Sequence, residues 1–218
     1  MSHSNSLVLD WKDLGPGFLL EEFLDSPTRD AGLTDARAVA GAAATVHGHG
    51  RTEAVTRVRH ATQLAVSDVT RRLVDRRLSD LTPALTERFG IALSAHEPLQ
   101  FLRYETGGFF VAHQDGNTPL TRDRTRDRRI SIVIFLNAQT PANLSCGYTG
   151  GELVFHAPYP DVDLRQAIVG EAGSLRVPVR DDARGHDGDG RRALYHCDLV
   201  SCRSRRMRRS RDRRLHLQ

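Results

Sequence analysis

Apolar residues recur at helical spacing most clearly between Ser67 and Gly90. Val69, Leu73, Leu78, Leu81, Leu85 and Phe89 fall at near-helical intervals, with arginines and acids filling the other face. Ser67-Asp68 reads as the N-terminal cap of this helix and Gly90 as its stop. Pro83 is expected to kink or split it. Upstream, Phe18 to Leu24 predicts a short amphipathic helix opening after Gly15-Pro16-Gly17, and Ala31 to Ala44 is alanine-rich and weakly periodic. Residues Leu7 to Gly90 therefore read as helices and loops, a support packed on a sheet.

Beyond Gly90 the period changes. Leu99 to Tyr104 partly alternates, Ile130 to Leu136 is a nearly continuous β-branched run of the kind a doubly buried strand needs, and Gly150-Gly151 opens a further strand through Phe155. Helices followed by strands predict an α+β fold, a β-sandwich or jelly roll behind an N-terminal helical buttress. Between strands, Asn117 to Arg129 reads as a solvated charged loop. The expected organisation is a helical support over 1–95, a core over 96–175 and an Arg-rich tail over 176–218.

A chain of 218 residues has room for one well-buried domain. No stretch is apolar for long enough to span a membrane, and Met1 to Asp10 lacks an apolar core of the signal-peptide type. Cys146, Cys197 and Cys202 form neither a CxxC pair nor an even set, which fits a reducing compartment, and the expectation is a soluble, cytoplasmic protein. The pI near 9.3 invites a nucleic-acid reading. However, 13 of the 31 Lys and Arg and only 6 of the 27 Asp and Glu lie beyond Leu175, so residues 1–175 carry net −3 and the last 43 carry net +7. Basicity belongs to the tail alone. The arginines from Arg203 to Arg214 could bind nucleic acid or acidic surfaces, but that partner is not the favoured one, and nothing in the pattern bears on oligomeric state.

The candidate chemistry lies in His113-Gln114-Asp115. At i and i+2 of an extended segment the imidazole and the carboxylate share a face and can reach one ion. They are two of the three ligands of a 2-His-1-carboxylate facial triad, an arrangement that leaves open positions on Fe(II). By itself the pair is common, and a surface histidine beside an acid is the usual explanation of it.

The flanking residues make the pair more specific. Tyr104 to Asp115 resembles the ligand segment of the prolyl 4-hydroxylase-like branch of the Fe(II)/2-oxoglutarate oxygenases, Tyr-x-x-Gly-x-x-aromatic-x-x-His-x-Asp, and matches it at every fixed position. Arg129 to Asn137 looks like that family's Arg-led core strand ending in Leu-Asn, and Tyr148 to Phe155 is similar to its Gly-Gly-Glu-x-x-Phe strand. The resemblance implies a double-stranded β-helix, with Fe(II) as metal, 2-oxoglutarate as cosubstrate and ascorbate binding. It also implies hydroxylation of a peptidyl side chain, prolyl among them, or of a small molecule. His113 and Asp115 are then iron ligands, and Tyr104 is a candidate hydrogen-bond donor to 2-oxoglutarate, equally readable as a core aromatic. Gly107 and Gly108 allow a tight turn ahead of the ligand segment, and His156 reads as a sheet-edge histidine.

The pattern breaks after Gly173-Ser174-Leu175. The family's second histidine, and the basic residue that holds the distal carboxylate of 2-oxoglutarate, have no visible counterpart, and the last strands of the fold are expected to be disrupted after about residue 175. His186 and His196 are weak substitutes for the third ligand. The segment is expected to be out of frame or disordered. Reading each codon from Arg176 one base later permits A-F-P-S-E-T-T-H-E-V, with a histidine codon starting inside that of Ala183 and an arginine codon inside that of Ala193. The coding DNA decides this: an early stop in the shifted frame, or no histidine codon at that place, ends the proposal.

Overall fold

The computed structural model describes residues 11–13, 17–20, 22–48, 51–53, 56–113, 128–140, 147–156, 165–178 and 193–202. The first half runs β1 (Trp11–Asp13), β2 (Gly17–Leu20), α1 (Ser26–Ala38), β3 (Gly41–Ala43), β4 (Val46–Gly48), β5 (Arg51–Glu53), β6 (Arg59–His60), β7 (Thr62–Leu64) and α2 (Asp68–Phe89). Then follow β8 (Leu93–His96), β9 (Gln100–Tyr104), β10 (Phe109–Phe110), β11 (Arg128–Phe135), β12 (Leu153–His156), β13 (Arg165–Ile168), β14 (Leu175–Pro178) and β15 (Ala193–Cys202).

Helix α2 has the expected ends. The Ser67 hydroxyl accepts from the Thr70 amide at 3.2 Å, and Gly90 takes the left-handed conformation at φ 64° that a helix stop favours in glycine. Its inward stripe is Thr70, Val74, Leu78, Leu81 and Leu85. Val69 and Leu73, expected on that stripe, are exposed instead, because the buried face follows Val74 and not its neighbour. The helix runs unbroken through Pro83, so the expected split does not occur. The stripe packs with Phe101, Ile130, Ile132 and Ile134 into one core with Phe23, Leu24 and Leu175.

Two aspartates tie α1 to α2. Asp25 caps α1 by accepting from the Thr28 amide at 2.9 Å and also from Arg77 of α2, while Asp35 accepts from the Ser67 amide at 2.9 Å. Hydrogen bonding from Ser67 and Thr70 holds the Asp35 carboxyl below its ordinary range.

The main sheet has nine strands among the described residues, in the order β1-β2-β14-β11-β15-β9-β7-β3, with β8 also paired to β15. Separate two-stranded pairs are β4 with β5, β6 with β10 and β12 with β13. An α+β organisation with many antiparallel pairs is therefore present, and no closure into a barrel is seen among the described residues. No described helix is long and apolar enough to cross a membrane.

Three expectations need correction. Phe18 to Leu20 lies in a strand, not at the start of a helix, since β2 pairs with Leu175–Pro178 across the sheet, a long-range partner that local periodicity cannot reveal. The helices and loops expected over Leu7 to Gly90 include seven strands of two to four residues, each too short to show alternation. Strand structure does not end near residue 175. Residues 193–202 form β15, parallel to β11 on one side and to β8 and β9 on the other. Its sequence, Ala-Leu-Tyr-His-Cys-Asp-Leu-Val-Ser-Cys, holds enough apolar and aromatic residues for a strand within the Arg-rich tail.

The Asp25 cap makes a prediction about acid. Hydrogen bonds from Thr28, first its hydroxyl and then its amide, and from Arg77 lower the carboxyl from 3.8 to about 2. A carboxylate with a depressed folded-state pKa contributes its stability above the unfolded value and loses it as pH falls through the folded value. Between pH 3.8 and about 2 the wild type should therefore lose more stability in urea unfolding than Asp25→Asn, whose amide still caps the helix. Equal losses in the two proteins would contradict this role for the carboxylate.

Candidate metal centre

The candidate ligand segment is launched by a turn between β9 and β10. The Gly108 amide donates to the Glu105 carbonyl at 2.7 Å, and Gly107 sits at the third position of this turn with φ 83°. A Cβ on Gly108 would lie 2.9 Å from the carbonyl oxygens of both Glu105 and His60, so the close approach of β6 requires glycine there too. Both glycines thus act as the sequence implied, for two different reasons.

Strand β10 is only two residues long and pairs with β6, Phe109 opposite His60 and Phe110 opposite Arg59. The ladder continues one step as the Val111 amide donates to the Val58 carbonyl at 3.0 Å. Ala112 then bends the chain, so His113 stands outside the strand and is exposed. Its Nδ1 lies 2.8 Å from the Val111 carbonyl oxygen, which can only accept. Nδ1 therefore carries the proton, and in the neutral ring the lone pair is on Nε2. A hydrogen bond to a backbone carbonyl commonly fixes this tautomer in a metal-binding histidine.

Asp115 lies outside the described residues, as does His186. Among the described residues no three of His, Cys, Asp and Glu come together as a metal site. Through Nε2, His113 fits one ligand position. His196 is placed on β15 opposite Ser131, and His156 ends β12 opposite Arg165. Tyr104 ends β9 and packs, half-buried, against Ala44, Ala61 and Leu102. That packing suits a core aromatic.

Two buried arginines are not marked by any motif. Arg59 is buried, and its Nη1 donates to the Thr45 carbonyl at 3.2 Å and to Gln100 Oε1 at 3.3 Å. Its guanidinium lies 4.6 Å from the centre of the Phe110 ring. Arg128, at the head of β11, meets Glu97 in a fork, Nε to Oε1 and Nη2 to Oε2 both at 2.7 Å. The expected strand leader was Arg129, but Arg128 shares the inward phase of Ile130, Ile132 and Ile134. That phase was the available signal for it. Arg59 gave none, because β6 has only two residues.

Residues 99–188 match the family model of the 2OG-Fe(II) oxygenase superfamily. The match covers less than half of the 218-residue chain. It runs from the start of β9 through the ligand segment and β11, and ends beyond Leu175, where the motifs stop. It supports a general oxygenase assignment, with the Fe(II) and 2-oxoglutarate that the superfamily uses. No curated protein and no solved structure matches the chain.

The Arg128–Glu97 fork joins the head of β11, within the matched region, to the residue after β8, with side chains only 8% and 17% exposed. Removing one partner of so buried a pair leaves the other charge uncompensated, at a cost of about 3 kcal/mol. Glu97→Gln should lower the unfolding free energy by about that amount in urea titration. A loss within about 0.5 kcal/mol of zero would show the pair to be a weak surface contact.

Proposed function

We propose that this chain carries an Fe(II)- and 2-oxoglutarate-dependent dioxygenase of the prolyl 4-hydroxylase-like type on a double-stranded β-helix core. In this reading His113 and Asp115 are iron ligands, Tyr104 hydrogen-bonds 2-oxoglutarate, and the substrate is a peptidyl side chain, with prolyl the first choice, or a small molecule. The observation that carries it is the hydrogen bond from His113 Nδ1 to the Val111 carbonyl, which puts the neutral ring's lone pair on Nε2, inside the segment that the superfamily model matches. Bound Fe(II) supplies oxidative decarboxylation of 2-oxoglutarate to succinate and carbon dioxide, coupled to oxygen insertion into a C–H bond. The protein's part is to orient His113 through its backbone partner and to hold the ligand segment on the β6–β10 pair. Ascorbate as an accessory reductant and a cytoplasmic location belong to the same reading.

For the third ligand position the chain as given offers His186 and His196, and the gene read one base later beyond Leu175 would offer a histidine in place of Ala183. A second reading is an impaired remnant of such an enzyme, and it is favoured by the lack, in the sequence beyond Leu175, of the segment that carries the family's second histidine.

The test is succinate formation from 2-oxoglutarate by the purified protein with Fe(II), ascorbate and air. The dioxygenase reading predicts iron-dependent succinate that falls at least ~100-fold in His113→Ala, the upper range for loss of an orienting or ligating group. Bound iron without succinate would favour the remnant. Succinate formation undiminished in His113→Ala would remove His113 from the site.

A further inference from the structure

His113 is exposed and lies past the end of β10, a position from which an imidazole would ordinarily sample several rotamers. Two of the neighbours of its ring are nevertheless fixed. One is the Val111 carbonyl on Nδ1. The other is the Phe110 ring, with centroids 3.7 Å apart and planes inclined by 24°, a stacked arrangement. Phe110 in turn is not free to turn away. It is the cross-strand partner of Arg59, whose guanidinium lies 4.6 Å from its ring centre, within the range of a cation–π contact.

Arg59 is anchored more deeply than either. It is buried, and its Nη1 bridges the Thr45 carbonyl and the Gln100 side chain at the start of β9. A planar guanidinium with fixed donors has little freedom of its own. The order of contacts is therefore sheet to Arg59, Arg59 to Phe110, and Phe110 to His113.

We infer that Phe110, backed by Arg59, is a positioning residue that fixes the ring plane of His113, and through that plane keeps its Nδ1 on the Val111 carbonyl. The stack acts on the plane and the hydrogen bond acts on the tautomer, and together they define where Nε2 points. Phe109, the neighbouring residue of β10, is exposed, and its ring meets His60 edge-on with centroids 6.1 Å apart. It makes a control on the same strand. The importance of the aim of Nε2 rests on the metal-ligand reading above, but the positioning itself does not.

The experiment is nuclear magnetic resonance of the full-length protein carrying isotope-labelled histidine, at alkaline pH where imidazole is neutral. In the wild type the His113 ring protons should be displaced upfield by the Phe110 face, show contacts to the Phe110 ring protons, and carry the Nδ1–H signature. Phe110→Leu should abolish the displacement and mix the two tautomers, Phe110→Tyr should retain both features, and Phe109→Leu should leave them unchanged. Arg59→Lys, which keeps the charge but loses the planar fork, should reduce the displacement. The inference is overturned if the wild-type spectrum lacks contacts between the two rings, a result independent of whether any variant folds, or if Phe110→Leu leaves the His113 signals in place. Added Mn(II) separates the two claims. If it leaves the His113 signals sharp while the upfield displacement is intact, the metal-ligand reading falls and the positioning stands.

Discussion

Burial of the α2 stripe against the sheet is the constraint on which the rest of this structure depends. Val74, Leu78, Leu81 and Leu85 are fully removed from solvent, and they meet Phe101 of β9 and Ile130, Ile132 and Ile134 of β11 in one continuous cluster. Each such side chain contributes roughly 1.5–3 kcal/mol by leaving water. The same packing fixes β9, the strand that leads to the candidate site, together with β11. β9 leads directly into the Gly107-Gly108 turn and β10, while the head of β11 is held by the Arg128–Glu97 fork. The core thus determines where His113 leaves the sheet.

Between core and site the connection is polar and aromatic. Arg59 joins the Thr45 carbonyl and Gln100 to Phe110, and Phe110 meets the His113 ring. The Arg59 side chain is buried, and the two bonds of its Nη1 together with its seat against the Phe110 ring leave it few alternative positions. The outcome is an exposed histidine with a defined tautomer and ring plane, which is what a ligand needs before the ion arrives.

The parts of the molecule legible in sequence were those with a strong local signal. Helix α2 was readable because Ser67 and Gly90 bracket a long periodic segment, and β11 because its β-branched run admits little else. The segment around His113 was marked by its spaced residue types, and the superfamily match spans it. Elements held by distant partners were not legible. Phe18 to Leu20 reads locally as a helix and lies in a strand through Leu175–Pro178, and Ala193 to Cys202 stands within a charged tail yet pairs between β11 and β9. Val69 and Leu73 show a finer failure, in which the period was right and its phase was wrong at the start of the helix. Arg59 and Phe110 meet only because β6 and β10 pair, a contact with no trace in local pattern.

The central claim is that His113 is a metal ligand within an oxygenase core. A spin-echo measurement on the Mn(II)-loaded protein with isotope-labelled histidine reads it directly, since only a coordinated imidazole nitrogen couples strongly to the metal's electron spin. The account predicts a histidine-nitrogen coupling in the wild type that weakens or disappears in His113→Ala. No histidine coupling in the wild type, or an unchanged one in His113→Ala, would contradict it.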